Sequence, residues 1–177
     1  KKNGVAKVTM IGKVTKEILF KGLKFPDWRA IKLLAKLRNR KDDTIMLAIV
    51  EELAKDGLEV VDQTLYLKPL MPACGVLSRR KPTADEEDDI RFGFVTAKAM
   101  GGMDIGQTVV VKHKAVMAVE AIEGTDACIR RGGALGREKS VVVKVAKPNQ
   151  DPRFDVPAVG KQTILSMIES KCNVLAM

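Results

Sequence analysis

Four valines and one lysine make up the run VVVKV at Val141–Val145. A run with so little polar interruption is typical of a strand that is covered on both faces of its sheet. Shorter apolar runs at Lys7–Ile11 and Val60–Leu67 also have the character of strands, and helical patterns lie between them. Because helices that alternate with short strands pack as layers on a sheet, the sequence predicts an α/β fold with a parallel or mixed sheet.

Capping residues mark the predicted helices of the first half. Asp27 precedes an apolar stripe of helical spacing that runs to Arg38 under a cationic face. A second helix is predicted to begin at Asp42-Asp43-Thr44 and to end at Gly57.

A change of composition separates two predicted domains. Three prolines, one glycine and a basic trio interrupt all periodicity between Lys68 and Pro82. We therefore predict a domain at residues 1–75, a linker at 76–82 and a second domain at 83–177.

The second domain is predicted to contain a capped helix and a hairpin. Thr83 and Glu86 have the spacing of a capping box, and the helix that they begin is expected to end at Gly101-Gly102. Two β-rich runs, Thr108–Val111 and Ala115–Glu120, flank the lone histidine, which we place at the exposed tip of a hairpin. Further helices are predicted from Thr125 or Asp126 through Ile129, broken by Gly132-Gly133, and from Lys161 to about Ser170.

Histidine and cysteine chemistry is largely excluded. The chain has one histidine, His113, and three widely separated cysteines. This composition excludes multi-histidine metal sites and argues against a disulfide framework and a structural zinc site. The sequence also lacks the Walker, GxGxxG, HExxH and GxSxG motifs.

Positive charge is concentrated at the start of the chain. Residues 1–41 contain 13 Lys or Arg and 2 Asp or Glu, whereas the remainder contains 18 and 20. The segment is either a solvated basic face or a surface for an anionic partner such as a phosphate, a nucleic acid or an acidic lipid. No aromatic side chains are interleaved with these cations as a base-stacking platform requires, so nucleic acid is not the expected partner.

Two segments carry candidate chemistry. In the loop Lys147–Pro157, Asp151, Arg153 and Asp155 alternate, and in an extended segment all three side chains would project to one side. Two carboxylates and a guanidinium could then bind a hard cation and a phosphate, although Arg153 could instead pair with its own neighbours. The other segment contains Glu120, Glu123, Thr125 and Asp126 at a helix start, which suits either phosphate binding or ordinary capping.

The order of several motifs resembles the LpxI family over nearly the whole chain. These motifs are Asp104-Ile105-Gly106-Gln107, EAIEGTD at 120–126, and the segment from Lys147-Pro148 through Arg153-Phe154-Asp155-Val156-Pro157 with Gly160; the Gly12-Lys13-Val14 turn and the helix start at Lys41-Asp42-Asp43-Thr44 are also similar. The resemblance implies a Rossmann-like N-terminal domain and an α/β C-terminal domain, with an acylated nucleotide held between them.

The members of that family are UDP-2,3-diacylglucosamine pyrophosphatases of lipid A biosynthesis. The resemblance implies hydrolysis of UDP-2,3-diacylglucosamine to UMP and 2,3-diacylglucosamine 1-phosphate (lipid X), with Mg²⁺ or another divalent cation. Carboxylates that hold a metal, together with basic side chains, can cleave a diphosphate without histidine or cysteine. The alternative from the residues alone is a non-catalytic, basic nucleotide- or RNA-binding module.

The resemblance also implies roles for single residues. Asp155 is expected to be the essential carboxylate, as metal ligand or water-orienting base, with Asp151 as second choice. Asp126 is expected to contact the metal beside Asp155. The expected substrate contacts are Gly12, Lys13, Gln107, Glu123, Thr125, Asp126, Lys147, Gln150 and Arg153.

The chain opens with Lys1 just before a strand and stops in the β-like run Asn173–Met177, so we expect it to be a piece of a longer protein.

The implied substrate suggests where the protein works. Because the substrate carries two acyl chains, we expect peripheral contact with the cytoplasmic face of the inner membrane. Basic residues around Phe20, Phe25, Trp28 and Leu33 have the pattern of an interfacial segment. Alternatively, these aromatic side chains belong to the core of the domain, or the cations hold the substrate. The sequence is also compatible with a homo-oligomer.

Overall fold

The computed structural model describes residues 4–11, 28–35, 37 and 42–177. The chain divides into two compact units. We call Lys1–Met71 with Asp151–Val156 the N-terminal unit, and Pro72–Gln150 with Pro157–Met177 the C-terminal unit. No feature of the sequence indicates that a short segment after residue 150 belongs to the N-terminal unit. The domain boundaries predicted at 75 and 83 stay predictions.

Two short strands and two helices are described in the N-terminal unit. These are β1 (Lys7–Val8), α1 (Trp28–Ala35), α2 (Asp42–Lys55) and β2 (Glu59–Val60), with β1 and β2 paired in parallel. Ile45 and Val50 of α2 are buried, as is Val60 of β2. Arg29 of α1 donates hydrogen bonds of 2.8 Å to both Glu52 and Asp56, so ion pairs join the two helices.

The prediction of a strand at Val60–Leu67 is wrong beyond its first residue. The Asp62 carboxylate accepts hydrogen bonds from the backbone N–H (2.6 Å) and the hydroxyl (2.7 Å) of Thr64, which turns the chain immediately after β2. Turns and a 3₁₀ helix at Lys68–Leu70 follow, and Tyr66 is 72% exposed. The predicted strand at Lys7–Ile11 is likewise paired only at Lys7–Val8.

The C-terminal unit is built on a mixed four-stranded sheet. Its elements are α3 (Ala84–Gly102), β3 (Thr108–Lys112), β4 (Ala115–Val119), α4 (Thr125–Gly136), β5 (Ser140–Lys144), α5 (Lys161–Glu169) and β6 (Cys172–Ala176). The strand order is β4-β3-β5-β6; β3 is antiparallel to both neighbours, and β5 and β6 are parallel. The predicted α/β class and mixed sheet are confirmed, and so is the predicted hairpin.

Alternate valines of the central strands face two different helical layers. Val109, Val111, Val141 and Val143 pack with Ala97 and Met100 of α3. Val110 and Val142 face the other way, where Cys128 and Ile129 of α4 and Met167 of α5 cover them. The apolar run in β5 is therefore nearly continuous because both faces of the sheet are covered.

The ends of α3 agree with the sequence. The Thr83 hydroxyl accepts from the backbone N–H of Glu86, and the Glu86 carboxylate accepts from the backbone N–H of Thr83, which is the predicted capping box. The helix ends at Gly102, where the prediction placed its stop.

The predicted break of α4 at Gly132-Gly133 is wrong, since the helix continues to Gly136. A Cβ atom on Gly132 would lie 2.5 Å from Val110 Cβ, and one on Gly133 would lie 2.5 Å from the Ser170 side chain. These glycines therefore allow α4 to approach the sheet and the end of α5 closely, which outweighs their low helix propensity.

Asp89 of α3 fixes the turn of the β3–β4 hairpin. His113 and Lys114 both adopt positive φ (51° and 57°), as the central residues of a type I′ turn do, although neither is glycine. Asp89 is 5% exposed, and its carboxylate accepts hydrogen bonds from the backbone N–H groups of His113 (2.9 Å) and Lys114 (2.6 Å). As predicted, the His113 side chain is exposed at the tip.

None of the helices within the described ranges combines the length and apolar character needed to span a membrane. This finding concerns only those ranges.

Asp89→Ala should lower the free energy of unfolding by roughly 2 kcal/mol, because it removes a buried charged acceptor that two backbone N–H groups of the turn share. Urea denaturation would measure the loss. The matched control is Asp88→Ala, whose carboxylate pairs with Arg91 and Lys114 at the surface and should contribute about 1 kcal/mol or less. Equal losses in the two variants would show that Asp89 does not anchor the turn.

Candidate active site

Polar side chains collect at one end of the C-terminal sheet. Strand β4 leads into Glu120, β5 ends at Lys144, and β3, which is antiparallel to both, begins at Thr108. These three positions therefore share one end of the sheet, which is where ligands bind in open α/β sheets. Helix α4 begins close by at Thr125.

A chain of hydrogen bonds links three of these residues. Lys144 Nζ donates to Thr125 Oγ1 (3.2 Å), and Thr125 Oγ1 donates to Glu120 Oε1 (2.9 Å). Lys144 Nζ also donates to the carbonyl oxygen of Ala158 (2.9 Å). Both charged residues are 8% exposed, so an ammonium group and a carboxylate are buried with one hydroxyl between them.

Several buried polar atoms of this region have no partner among the described residues. They comprise two carboxylate oxygens, Glu120 Oε2 and Asp126 Oδ1, and two atoms of side-chain amides, Gln107 Oε1 and Gln150 Nε2. Because an unsatisfied buried polar atom is costly, such a group is expected to serve a ligand, an ion or a water molecule. We call Gln107, Glu120, Thr125, Asp126 and Lys144 the sheet-end cluster.

Glu123 belongs to the structure of the turn and not to this cluster. Its carboxylate accepts the backbone N–H of Ala121 (3.0 Å) and pairs with Arg131. Hydrogen bonds, first from its own backbone N–H and then from Arg131, lower the pKa of Glu123. The capping alternative therefore accounts for Glu123, whereas Thr125 and Asp126 keep a place in the candidate site.

Lys147 and Gln150 follow β5 and are held in place by local contacts. Lys147 Nζ pairs with Asp104 Oδ1 (2.7 Å), and the backbone N–H of Lys147 donates to Gln150 Oε1 (2.6 Å). The second bond uses the side-chain oxygen of Gln150. The Nε2 atom of the same amide is buried and has no partner within the described part of the chain. Both residues lie in the C-terminal unit with the sheet-end cluster.

Gly106 brings the strand start of β3 against the end of β4. A Cβ atom on Gly106 would lie 2.1 Å from the carbonyl oxygen of Glu120, so no side chain fits there. The backbone N–H of Glu120 donates to the Thr108 carbonyl (2.8 Å), and the N–H of Val145 donates to the Gln107 carbonyl (2.9 Å). Backbone hydrogen bonds thus join the ends of β3, β4 and β5 that carry the cluster.

The expectation that residues 151–155 are extended is wrong. The backbone N–H groups of Phe154 (3.3 Å) and Asp155 (3.0 Å) both donate to the Asp151 carbonyl, which closes a turn. Arg153 pairs with Asp151 (Nη2 to Oδ2, 2.6 Å), so it contacts its own neighbour, and this pairing lowers the pKa of Asp151. Alternating residues project to one side only in an extended segment, so that argument does not bring these three side chains together.

Asp155 differs from Asp151 in having a carboxylate without a hydrogen bond or ion pair to any residue in the described ranges. Its turn belongs to the N-terminal unit, where the backbone N–H of Gln63 donates to the Pro152 carbonyl (3.1 Å). Asp151, Arg153 and Asp155 are therefore assigned to one unit, and the sheet-end cluster to the other. Gly12 and Lys13 lie outside the described residues.

The site contains residues that sequence reasoning left out. In the sequence Lys144 is only a polar interruption of an apolar run, but a charged residue at the last position of a buried strand is unusual and could have indicated a site. Glu120 belongs to the acidic group before α4, and only the structure reveals its hydrogen bond with Thr125. Asp104 lies in a recognised motif, and only the structure reveals its pairing with Lys147.

Two α/β units and a buried lysine–carboxylate cluster at a sheet end define a protein with a candidate anion-binding site. The chain belongs to the LpxI family: the LpxI N-terminal domain matches residues 1–70, and the LpxI C-terminal domain matches residues 73–177. The resemblance found in the sequence is confirmed.

A curated relative, the UDP-2,3-diacylglucosamine pyrophosphatase LpxI of Caulobacter vibrioides, is 33% identical over 150 residues. The match covers 78% of this chain and 54% of the relative, so the chain spans about half the length of the curated relative that it matches.

Thr125→Val should lower the free energy of unfolding by about 1–3 kcal/mol, because it removes the hydroxyl between Lys144 and Glu120 and leaves buried charges less satisfied. Thr125→Ser keeps the hydroxyl and is the matched control, expected to lose less than about 1 kcal/mol. Urea midpoints of the three proteins give the comparison. If the valine variant is as stable as the serine variant, the hydrogen-bond chain contributes nothing to folding.

Proposed function

We propose that this protein hydrolyses the pyrophosphate bond of UDP-2,3-diacylglucosamine, releasing UMP and 2,3-diacylglucosamine 1-phosphate (lipid X) for lipid A biosynthesis. Membership of the LpxI family and the activity named for the Caulobacter relative support the reaction. The observation that carries it is the sheet-end cluster, in which Glu120 and Asp126 keep buried oxygens without a partner in the described residues.

Positive charge for a diphosphate is available in the sheet-end cluster and beside it. Lys144 is buried at the end of β5, and Lys147 follows it three residues later beside Asp104. The first turn of α4 has no side-chain cap at Gly124, so its N–H groups and the positive end of its dipole are directed at the same region. These groups bind non-bridging phosphate oxygens in our proposal.

The two carboxylates require a cation if the ligand is a diphosphate, because like charges repel. Among the described residues no group of three or more His, Cys, Asp or Glu could hold a metal ion. Mg²⁺, however, is commonly bound by one or two carboxylates together with substrate phosphates, and the unpartnered oxygens of Glu120 and Asp126 fit that pattern. When bound there, Mg²⁺ would neutralise charge on the diphosphate.

Asp155 is the best candidate for the group that acts on water. Its carboxylate has no partner in the described ranges, whereas Asp151 is engaged by Arg153. In the proposed step Asp155 accepts a proton from water while the water oxygen bonds to one phosphorus, and the bond from that phosphorus to the bridging oxygen breaks. Asp151 then acts by holding Arg153 and the turn.

Contact with a membrane is a further part of the proposal. In the described part of the basic segment, Trp28 is 78% exposed and Ile31 is 43% exposed, whereas Arg29 is engaged by Glu52 and Asp56. Exposed apolar side chains beside cations are typical of interfacial segments. We therefore propose peripheral binding at the cytoplasmic face of the inner membrane.

Asp155→Ala should lower kcat for release of UMP by about 100-fold or more, since it removes the proposed proton acceptor, and should leave substrate binding nearly unchanged. The assay is UMP production from UDP-2,3-diacylglucosamine with and without Mg²⁺. Asp85→Ala, an exposed carboxylate in the first turn of α3, is the control. A near-native rate in the Asp155 variant would remove Asp155 from the reaction.

The same assay separates the catalytic proposal from the alternative of a basic nucleotide- or RNA-binding module. Salt-sensitive binding of RNA with no release of UMP from the diacylated substrate, at any Mg²⁺ concentration, would favour that alternative.

Sedimentation with lipid vesicles should recover the protein with anionic vesicles at low salt and much less of it at high salt. Screening shortens electrostatic attraction to about 10 Å at 0.1 M salt, which is the physical reason for the difference. Neutral vesicles are the control. Equal and negligible binding to both vesicle types would contradict membrane contact and leave the hydrolase proposal standing.

A further inference from the structure

An apolar groove of about 460 Å³ lies along the second half of α3 in the C-terminal unit. Its volume falls in the range of roughly 300–1,000 Å³ that is typical of small-molecule sites. Its lining includes Val95 and Ala99 of α3 together with Met103, Ile105 and Val119.

 Val95 and Ala99 belong to α3, Met103 and Ile105 lie between α3 and β3, and Val119 is the last residue of β4.

The groove exists because one helix covers that face of the sheet while two cover the other. Helix α3 packs on β3 and β5, and the end of the edge strand β4 contributes Val119 to the groove beside it. Val95 is 69% exposed, Met103 66% and Ile105 46%, so large apolar side chains face water there. An exposed apolar patch of this kind commonly marks a binding surface.

The polar groups near the groove are already used elsewhere. The Thr96 hydroxyl donates to the carbonyl oxygen of Phe92 (2.9 Å) in its own helix. Lys98 Nζ donates to the Ala146 carbonyl (2.6 Å). The lining therefore offers hydrocarbon surface and the thioethers of Met100 and Met103, which adapt to the shape of a flexible chain.

The groove and the sheet-end cluster are lined by neighbouring residues of the chain. Val119 directly precedes Glu120, and Ile105 lies two positions before Gln107. The close approach of Gly106 to the Glu120 carbonyl fixes these two backbone segments against each other. One wall of the groove and one side of the cluster are thus formed by the same short stretches of chain, within a single unit.

We propose that this groove binds one linear acyl chain of the substrate whose diphosphate lies at the sheet-end cluster. The inference rests on the proposed function, because the cluster must hold the head group of an acylated nucleotide sugar. An uncharged aliphatic chain matches the apolar lining, and its covalent link to an anionic head group matches the adjoining lysines and carboxylates.

Ala99→Trp tests the inference, since a large ring at this exposed helix position fills the groove without entering the core. The measurement is kcat/KM for UDP-sugars that carry acetyl or myristoyl chains. In the unsubstituted protein each buried methylene should raise kcat/KM up to about fourfold. Ala99→Trp should reduce the preference for the long chain by about tenfold or more and leave the acetylated substrate within about twofold.

Ala134→Trp is the matched control, because Ala134 is an exposed alanine of α4 on the other side of the sheet. It should leave the preference for the long chain unchanged, and thermal melting monitored by circular dichroism checks that both variants fold. An unchanged preference in Ala99→Trp would overturn the inference. If Ala99→Trp instead dissociates a dimer in sedimentation velocity without altering the preference, the groove is an interface between copies, which also overturns it.

Failure of the proposed function gives a different result. If no substrate releases UMP, the hydrolase proposal fails, and the groove is then tested by equilibrium binding of methylene-bridged analogues that cannot be hydrolysed. Tighter binding of the myristoylated analogue than of the acetylated one, lost in Ala99→Trp and kept in Ala134→Trp, supports the groove. Equal binding of both analogues to the unsubstituted protein contradicts it.

Discussion

The hydrogen bonds of Lys144 connect the fold of the C-terminal unit to its candidate chemistry. Its ammonium group is buried at the end of β5 and donates to Thr125 at the start of α4 and to the backbone at Ala158. Burying a charge is costly unless it is hydrogen-bonded, so the strand end, the helix start and the loop before α5 must keep one arrangement. Thr125 extends the connection to Glu120, whose second carboxylate oxygen has no partner among the described residues.

The same sheet explains why polar groups gather where they do. Valines of β3 and β5 alternate between α3 and the pair α4 and α5, so the middle of each strand is buried on both faces. Polar side chains can reach a ligand only where the strands end. Glu120, Lys144 and Gln107 lie at that end, and Val119, the residue before Glu120, lines the groove beside α3.

The mixed sheet, its hairpin, the capping box of α3 and the acidic group before α4 could be predicted from sequence, because each depends on local periodicity or capping. The rest depends on contacts between distant residues. Gly132 does not break α4 because its missing side chain admits Val110, and the apolar pattern after Val60 does not continue β2 because Asp62 bonds Thr64. The pairing of Arg153 with Asp151 in a turn, where an extended segment was expected, follows from tertiary placement in the same way.

The central claim is that the sheet-end cluster binds the diphosphate of a nucleotide. Titration of the ¹⁵N-labelled protein with UDP and Mg²⁺, followed by backbone amide shifts, tests it most directly. The account predicts the largest shifts at Gln107, at residues 120–126 and at residues 144–150. Shifts concentrated at Lys139 and Lys171, where β5 and β6 begin at the opposite end of the sheet, would contradict it.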